Sequence, residues 1–400
     1  MKFVGWTTAI LVLLGVLTAW IDPSSGGLMH AAVLTLAAIW ALYALIRRAT
    51  IPVHWIVLLP LGCAVLGILQ ITLNWTVYPY ETWNSVTAWV ARAAIFSAAY
   101  TGFREGRQQE RLKSSIVIFG GVFSLLVLLQ WYTGGGTVFW IIETRYKSEV
   151  AGTFANRDQY AALMELLLPV ALAASLSHRR SPILPATCAG LMFASVIASA
   201  SRAGTVIVCV EALIFLMAAS FSRRNFRAVG LISASLILCT LLGGWSYVWE
   251  RFSYSDPFEY RREMLTATIA MIRARPLTGF GLGAWPSVYP AFAVFDPPGV
   301  YMNHAHNDWA EWTADGGLPL LGLLAIFGGA LALRTRKNPW TLGIPAVLAH
   351  ALLDFPLHKS AIACALFLLA GASLNHRRNI VTPVLRNSRE ITTAKSLLQV

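Results

Sequence analysis

Apolar residues run along this chain in long unbroken blocks separated by short polar breaks. The blocks cover approximately 3–20, 28–46, 53–73, 84–102, 114–132, 159–177, 182–200, 203–221, 228–248, 317–333, 340–353 and 360–375. A helix of about 18 or more apolar residues crosses the roughly 30 Å hydrocarbon core of a bilayer. The pattern therefore predicts an all-α, polytopic integral membrane protein with about twelve transmembrane helices, the eleventh being short. The first block carries one basic residue, Lys2, and ends at Thr18-Ala19-Trp20 without a small-x-small site. It reads as a retained helix rather than a cleaved signal.

Two long polar connections interrupt the blocks, at about 133–158 and 249–316, and connections of this length in a compact protein are usually functional. The second holds a helix of its own. Asp256 is placed to cap it, Pro257 to start it and Glu259 to reach back as in a capping box. The helix runs to about Arg275, before Pro276, with Arg261, Leu265, Thr268 and Ile272 on one face and Arg262, Thr266 and Arg273 on a more polar one. It is expected to lie at the membrane surface. The following PLTGFGLG has the spacing GxGxG and comes after a helix rather than a strand, which argues for a tight turn where backbone approaches something closely, and against a dinucleotide loop. No soluble domain and no repeat of fixed period is visible. Residues 1–375 read as one transmembrane domain and 376–400 as a basic cytoplasmic tail.

Composition agrees: 56% of the 400 residues are hydrophobic, 12% are charged, and the mean hydropathy is +0.61. A net charge of +12 would ordinarily invite nucleic acid. Here most of the basic residues fall in the short connections that face inward if the N-terminus is inside, such as Arg47-Arg48, Arg104–Lys113, Arg179-Arg180 and Arg223–Arg227. The charge thus sets orientation, with both termini cytoplasmic and anionic membrane lipid as its partner, and no nucleic acid is implied. The five cysteines all lie within predicted helices and form no metal or disulfide pattern. Trp6, Trp20, Trp75, Trp83 and Trp131 are placed to anchor helices at the interfaces.

The polar clusters sort to the outer, periplasmic side of this topology: GTFANRD (152–158), SRAG (201–204), Arg261-Arg262, HAHND (304–308) and DFPLHK (354–359). Arg202 sits between two apolar helices with almost no loop, where a charge is costly unless paired or used. Arg202 and Arg261, with Arg262 beside it, suit a diphosphate, since a guanidinium fork matches its oxygens. His304, His306 and Asp308 alternate, but Asn307-Asp308 looks like a helix start, so a shared metal is disfavoured. A general base is the better role for His306, because imidazole titrates near neutral pH. Arg157, His304, Asn307 and Asp308 are the supporting residues. Arg92, Glu165 and Glu211 fall inside predicted spans, as a structural latch in which Arg92 pairs with one of the glutamates, or as an ion path.

Taken in order, GTFANRDQYAALMELLLPVAL, SRAG, the stretch from Arg261 to PLTGFGLG, HAHNDWAEWTADGGLP and HALLDFP resemble the O-antigen ligase and polymerase superfamily of bacterial inner-membrane enzymes. One departure is Asp158, where the family commonly has asparagine. The resemblance implies a metal-independent, cofactor-free glycosyl transfer with inversion at the periplasmic face. The donor would be a glycan on undecaprenyl diphosphate and the acceptor a hydroxyl on lipid A–core or on a lipid-linked repeat unit. By position, Arg202 and Arg261 would hold the diphosphate and His306 would activate the acceptor. Ligase, polymerase and protein O-glycosylation share this chemistry. The other function class is a membrane transporter of a small anion or polysaccharide, with Arg92, Glu165 and Glu211 along its path. Broken mid-membrane helices and internal repeats, which transport folds often have, are not evident.

Overall fold

The computed structural model describes residues 2–19, 27–48, 50–134, 137–143, 151–177, 181–220, 226–242, 253, 259–294 and 302–374. The Asp256-Pro257 helix start, Trp20, the basic pairs at 179–180 and 223–224, and the tail from 376 lie outside them.

Each apolar block forms a helix. In chain order these are α1 (Lys2–Leu17), α2 (Gly27–Ile46), α3 (Leu58–Thr72), α4 (Pro79–Gly102), α5 (Gly106–Thr133), α6 (Arg157–Ser177), α7 (Ile183–Ser199), α8 (Arg202–Ser220) and α9 (Phe226–Leu242). Then follow α10 (Glu259–Ala274), the single turn α11 (Trp285–Val288), α12 (Asp308–Thr335), α13 (Gly343–His350) and α14 (Ser360–Ser373). Among the described residues the only strands are a two-residue pair, Thr137–Val138 with Ile142–Glu143, so the fold is all-α. Among the described residues six helical segments are long and apolar enough to cross a membrane: α2, α3 with its preceding 3-10 turn, α5, α6, α8 and α12. Helices α1, α7, α9 and α14 are apolar but shorter.

The predicted eleventh crossing differs from expectation. Its helix has only eight residues, roughly 12 Å of rise. A 3-10 turn at Pro339–Thr341 precedes it and turns at 351–354 follow. Even so, the segment joins the two ends of the bundle. Asn338 donates to the Ser373 carbonyl at the end of α14, while Asp354 reaches the loop that follows α11. Irregular backbone is tolerated there because Trp340, Ile344, Val347 and His350 are buried in protein rather than lipid.

Helix α6 is the centre of the bundle. From Gln159 to Leu172 every residue is buried, and α5, α7, α8 and α13 pack around it. A second, smaller core lies beside the main one: Met264, Ala267 and Met271 of α10 pack with Phe280, Trp285, Tyr289 and Ala305. The apolar stripe of α10 is therefore covered by the protein's own second core. Trp285 is fully buried and donates its indole N–H to Thr268.

The glycine loop clamps this second core to α12. Gly279, at φ 61°, brings its backbone against Asp315 and Gly316. Gly317, at φ 70°, breaks α12 into a polar first part and an apolar second part. The buried Gln70 of α3 ties the loop from the other side, donating to the Thr278 and Asp315 carbonyls and accepting from the Leu282 N–H. A Cβ at position 279 would stand 2.2 Å from the Asp315 carbonyl oxygen, a backbone atom that cannot step aside. Gly279→Ala is expected to cost about 2 kcal/mol or more. Gly322→Ala, with nothing within 4 Å, should not destabilise. Thermal unfolding of the detergent-solubilised chain compares the two.

Candidate active site

Asn307 caps α12: its side-chain oxygen accepts from the Ala310 N–H at 2.9 Å, and its amide donates to the Leu352 carbonyl at 2.9 Å. The cap fixes the residue before it. His306 is at φ 50°, in the left-handed region, which costs a non-glycine residue about 1 kcal/mol or more. That conformation aims the imidazole at the 351–358 segment. Its Nδ1 lies 2.6 Å from Oδ1 of the buried Asp354, and its ring stands edge-on to Phe355. Burial alone would raise the Asp354 carboxyl; the His306 hydrogen bond and the Arg261 charge reverse this and hold it below its ordinary value. Facing an ionised carboxylate, Nδ1 carries the proton and donates it. This contact occupies Nδ1 and leaves Nε2 as the other ring nitrogen.

Arg261 enters from the first turn of α10. Nη1 donates to the Leu353 carbonyl at 2.8 Å, and Nη2 lies 3.3 Å from Asp158 Oδ2 and 4.0 Å from Asp354 Oδ1. Asp158 in turn accepts from the Ser201 hydroxyl at 2.6 Å. Ser201 occupies the tight reversal between α7 and α8, where Ala200 takes φ 53°. Arg157 opens α6 and Arg202 opens α8, and Arg202 is within electrostatic range of Arg261, Asp158 and Arg157. A cavity of about 330 Å³ is lined by Arg261, Arg262, Leu265, His306, Asn307 and Leu353, among others. Arg261, Arg262 and the predicted base thus share one cavity wall. Arg202, expected to join Arg261 there, does not line this cavity and approaches Arg261 only through the Ser201–Asp158 contact and its own charge.

The other predicted supporting residues build a second network beneath. His304 Nδ1 is 2.9 Å from Glu311 Oε1, and the Ala305 N–H donates to Glu311 Oε2 at 2.7 Å. His358 Nδ1 bonds Asp308 Oδ1, its Nε2 is 3.3 Å from Glu311, and the Leu357 N–H donates to Asp308 Oδ2 at 2.8 Å. His304, His306 and Asp308 therefore face different partners and do not form one ligand set. His304, His358 and Glu311 have donor atoms close enough for a metal, as do Asp158, His350 and Asp354. In the first group Glu311 already has both oxygens engaged; in the second the Arg261 guanidinium lies against both aspartates.

Residues 187–325 match the family model described as O-antigen ligase. Over that stretch, about a third of the chain, the sequence resembles the O-antigen ligase family. No curated protein and no solved structure matches it. The matched stretch contains Arg202, Arg261, Arg262, His304, His306, Asn307 and Asp308, and it ends before Asp354. The match, with the apolar helices, supports a membrane-embedded protein and suggests glycan processing.

The expected latch is corrected. Arg92 stacks over Trp89 at 4.5 Å and donates to the Leu357 carbonyl at 3.4 Å, while Glu165 pairs with the fully buried His350 at 2.8 Å. The cavity beside Arg92 is walled by Trp89, Trp309, Trp312 and Phe367 and contains neither Glu165 nor Glu211. Trp6 is less an anchor than a clamp: its indole donates to Gln108 at 3.0 Å. Sequence reasoning missed Asp354 and Ser201 as individual site members, although both lie in quoted clusters.

The two neighbouring imidazoles are driven apart. Burial holds His304 below its ordinary value. Burial also works against the charge on His358, but the Glu311 and Asp308 carboxylates outweigh it and raise that group to about 9. A group raised on folding adds stability that is full below the ordinary imidazole value and is lost as pH rises through its folded value. The unfolding midpoint should therefore fall as pH is raised from about 7 to 10. His358→Gln should flatten that slope, as a melting series across this range will show.

Proposed function

We propose that the chain transfers a glycan from an undecaprenyl-diphosphate carrier to an acceptor hydroxyl at the periplasmic face of a bacterial inner membrane, without metal or other cofactor. The supporting observation is that Arg261 and His306 line one cavity and are linked through a single carboxylate, Asp354. The acceptor O–H gives its proton to His306 Nε2 as its oxygen attacks the anomeric carbon. The bond from that carbon to the diphosphate oxygen breaks, and the electron pair leaves with the diphosphate. A leaving group this stable needs charge neutralisation rather than protonation, which Arg261, with Arg202 and Arg262 beside it, supplies. One displacement inverts the anomeric centre. Asp354 positions the imidazole and stabilises it once charged.

His306→Ala should lower transfer by about 10²–10⁴-fold, the range for loss of a general base. Arg261→Lys should also fail to restore activity, because an ammonium cannot replace a two-pronged contact. The measurement is transfer of labelled glycan from lipid-linked donor in proteoliposomes. A His306→Ala protein with the normal rate would remove the catalytic centre from this reading. Solute uptake by proteoliposomes lacking any lipid-linked sugar would instead support transport. Deleting the gene separates the acceptors: loss of long chains on lipid A–core with polymer kept on its carrier means ligase, and loss of polymer altogether means polymerase.

A further inference from the structure

Asp158 is unusual company for an arginine that is to receive an anion. Its carboxylate lies against Arg261 inside the same site, yet the contact is a single one of 3.3 Å. A charge-assisted N–H···O bond is normally about 2.7–2.9 Å. The shorter bond of this carboxylate, 2.6 Å, comes from the Ser201 hydroxyl on the other side. Asp158 thus has a firm anchor independent of Arg261 and a loose hold on the guanidinium. The Asp158 side chain is 14% exposed and that of Arg261 27%, so an anion entering the cavity reaches the same guanidinium that Asp158 touches.

We propose that Asp158 is a specificity-determining residue, a built-in monoanion that a diphosphate displaces from Arg261 and a singly charged phosphodiester does not. The inference rests on the donor-site reading above. A cationic cradle at a membrane surface is surrounded by lipids with one negative charge on their phosphate, and attraction alone would fill it with them. Replacing a tethered carboxylate by such a headgroup exchanges one unit charge for another, and the tether gives the carboxylate the advantage of effective concentration. A diphosphate carries more charge and more oxygens. It can meet Arg261 and, at the same time, Arg262 across the cavity or Arg202 behind it. Ser201 completes the exchange by holding Asp158 when Arg261 turns to the ligand. Specificity here comes from a repulsive group placed against the wrong ligand, at some expense in affinity for the right one.

The test is binding of farnesyl diphosphate and of dihexanoyl phosphatidylglycerol to the full chain in detergent. Asp158→Asn keeps the shape and can still accept from Ser201. It is expected to tighten phosphatidylglycerol by about tenfold and the diphosphate by less, so the preference for diphosphate shrinks. Ser201→Ala, which removes the second anchor, should let Asp158 close on Arg261 and weaken both ligands. An unchanged preference in Asp158→Asn, or weaker diphosphate binding, overturns the inference. Arg261→Gln separates the two layers. If it binds diphosphate as well as the unaltered chain, the donor-site reading falls too; if it loses diphosphate while Asp158→Asn keeps its preference, only the filter falls.

Discussion

The Asp354 carboxylate is the joint on which the site turns. It is almost fully buried, at 2% exposure, and a buried carboxylate without partners is costly. Here it is surrounded by donors and cations: His306 at 2.6 Å, Arg261 at 4.0 Å, and the charge of His350 beneath. Its ionisation fixes the tautomer of His306, and its charge draws the first turn of α10 towards the 351–354 turn. Removing it would free the imidazole and take one of two carboxylates from beside the Arg261 guanidinium, which would keep Asp158 and the Leu353 carbonyl. Such groups act together rather than as a sum of pairs.

The residues proposed for the site all sit at breaks in helices, and the breaks are held by buried elements. Arg202 follows a two-residue reversal, His306 precedes a helix cap, Asp354 follows the short α13, and Arg157 and Asp158 open α6. At helix ends the backbone leaves the regular ladder, so side chains can turn into a common space. The left-handed conformations of Ala200 and His306 are the local cost of those reversals. The packing of α6 and the second core offset it. Because α10 lies on its own apolar core and the glycine loop clamps that core to α12, Arg261 is held from two directions and not merely tethered by a loop.

Much of this was legible in the sequence. Helix positions followed from apolar block length, and the kink at Gly317 coincides with the point where the tenth block begins. The convergence of Arg261, Arg262, His306 and Asn307 followed from placing polar clusters on one side. What was hidden depends on partners remote in sequence. The apolar face of α10 fits a lipid surface as well as a protein core until Trp285 and Phe280 are seen against it. Gln70, a lone amide in an apolar block, was the available sign that a loop docks there, and it is satisfied 208 residues downstream. Arg92 and Glu165 invited pairing by charge alone. In the fold each has a nearer partner that charge counting ignores, an aromatic face and a buried imidazole. Likewise the shortness of α13 was readable, but not that buried surroundings would make its irregularity affordable.

Among the described residues four histidines face carboxylates, and their geometry differs in what each leaves open to the cavity. His350 is wholly buried with Glu165 and does not line the cavity shared by Arg261 and His306. His358 has Asp308 on one ring nitrogen and Glu311 on the other, so it has no lone pair to offer. His304 stacks on Phe355 at 4.3 Å with Nδ1 against Glu311, and it serves to hold the loop. His306 has one nitrogen fixed by Asp354, a side chain 27% exposed, and a place on the cavity lined by Arg261. Reactivity therefore does not follow from the presence of a His–carboxylate pair. Of the four, His306 is the one whose ring lines the cavity beside Arg261, while His358 has a carboxylate on each nitrogen and His350 is wholly buried.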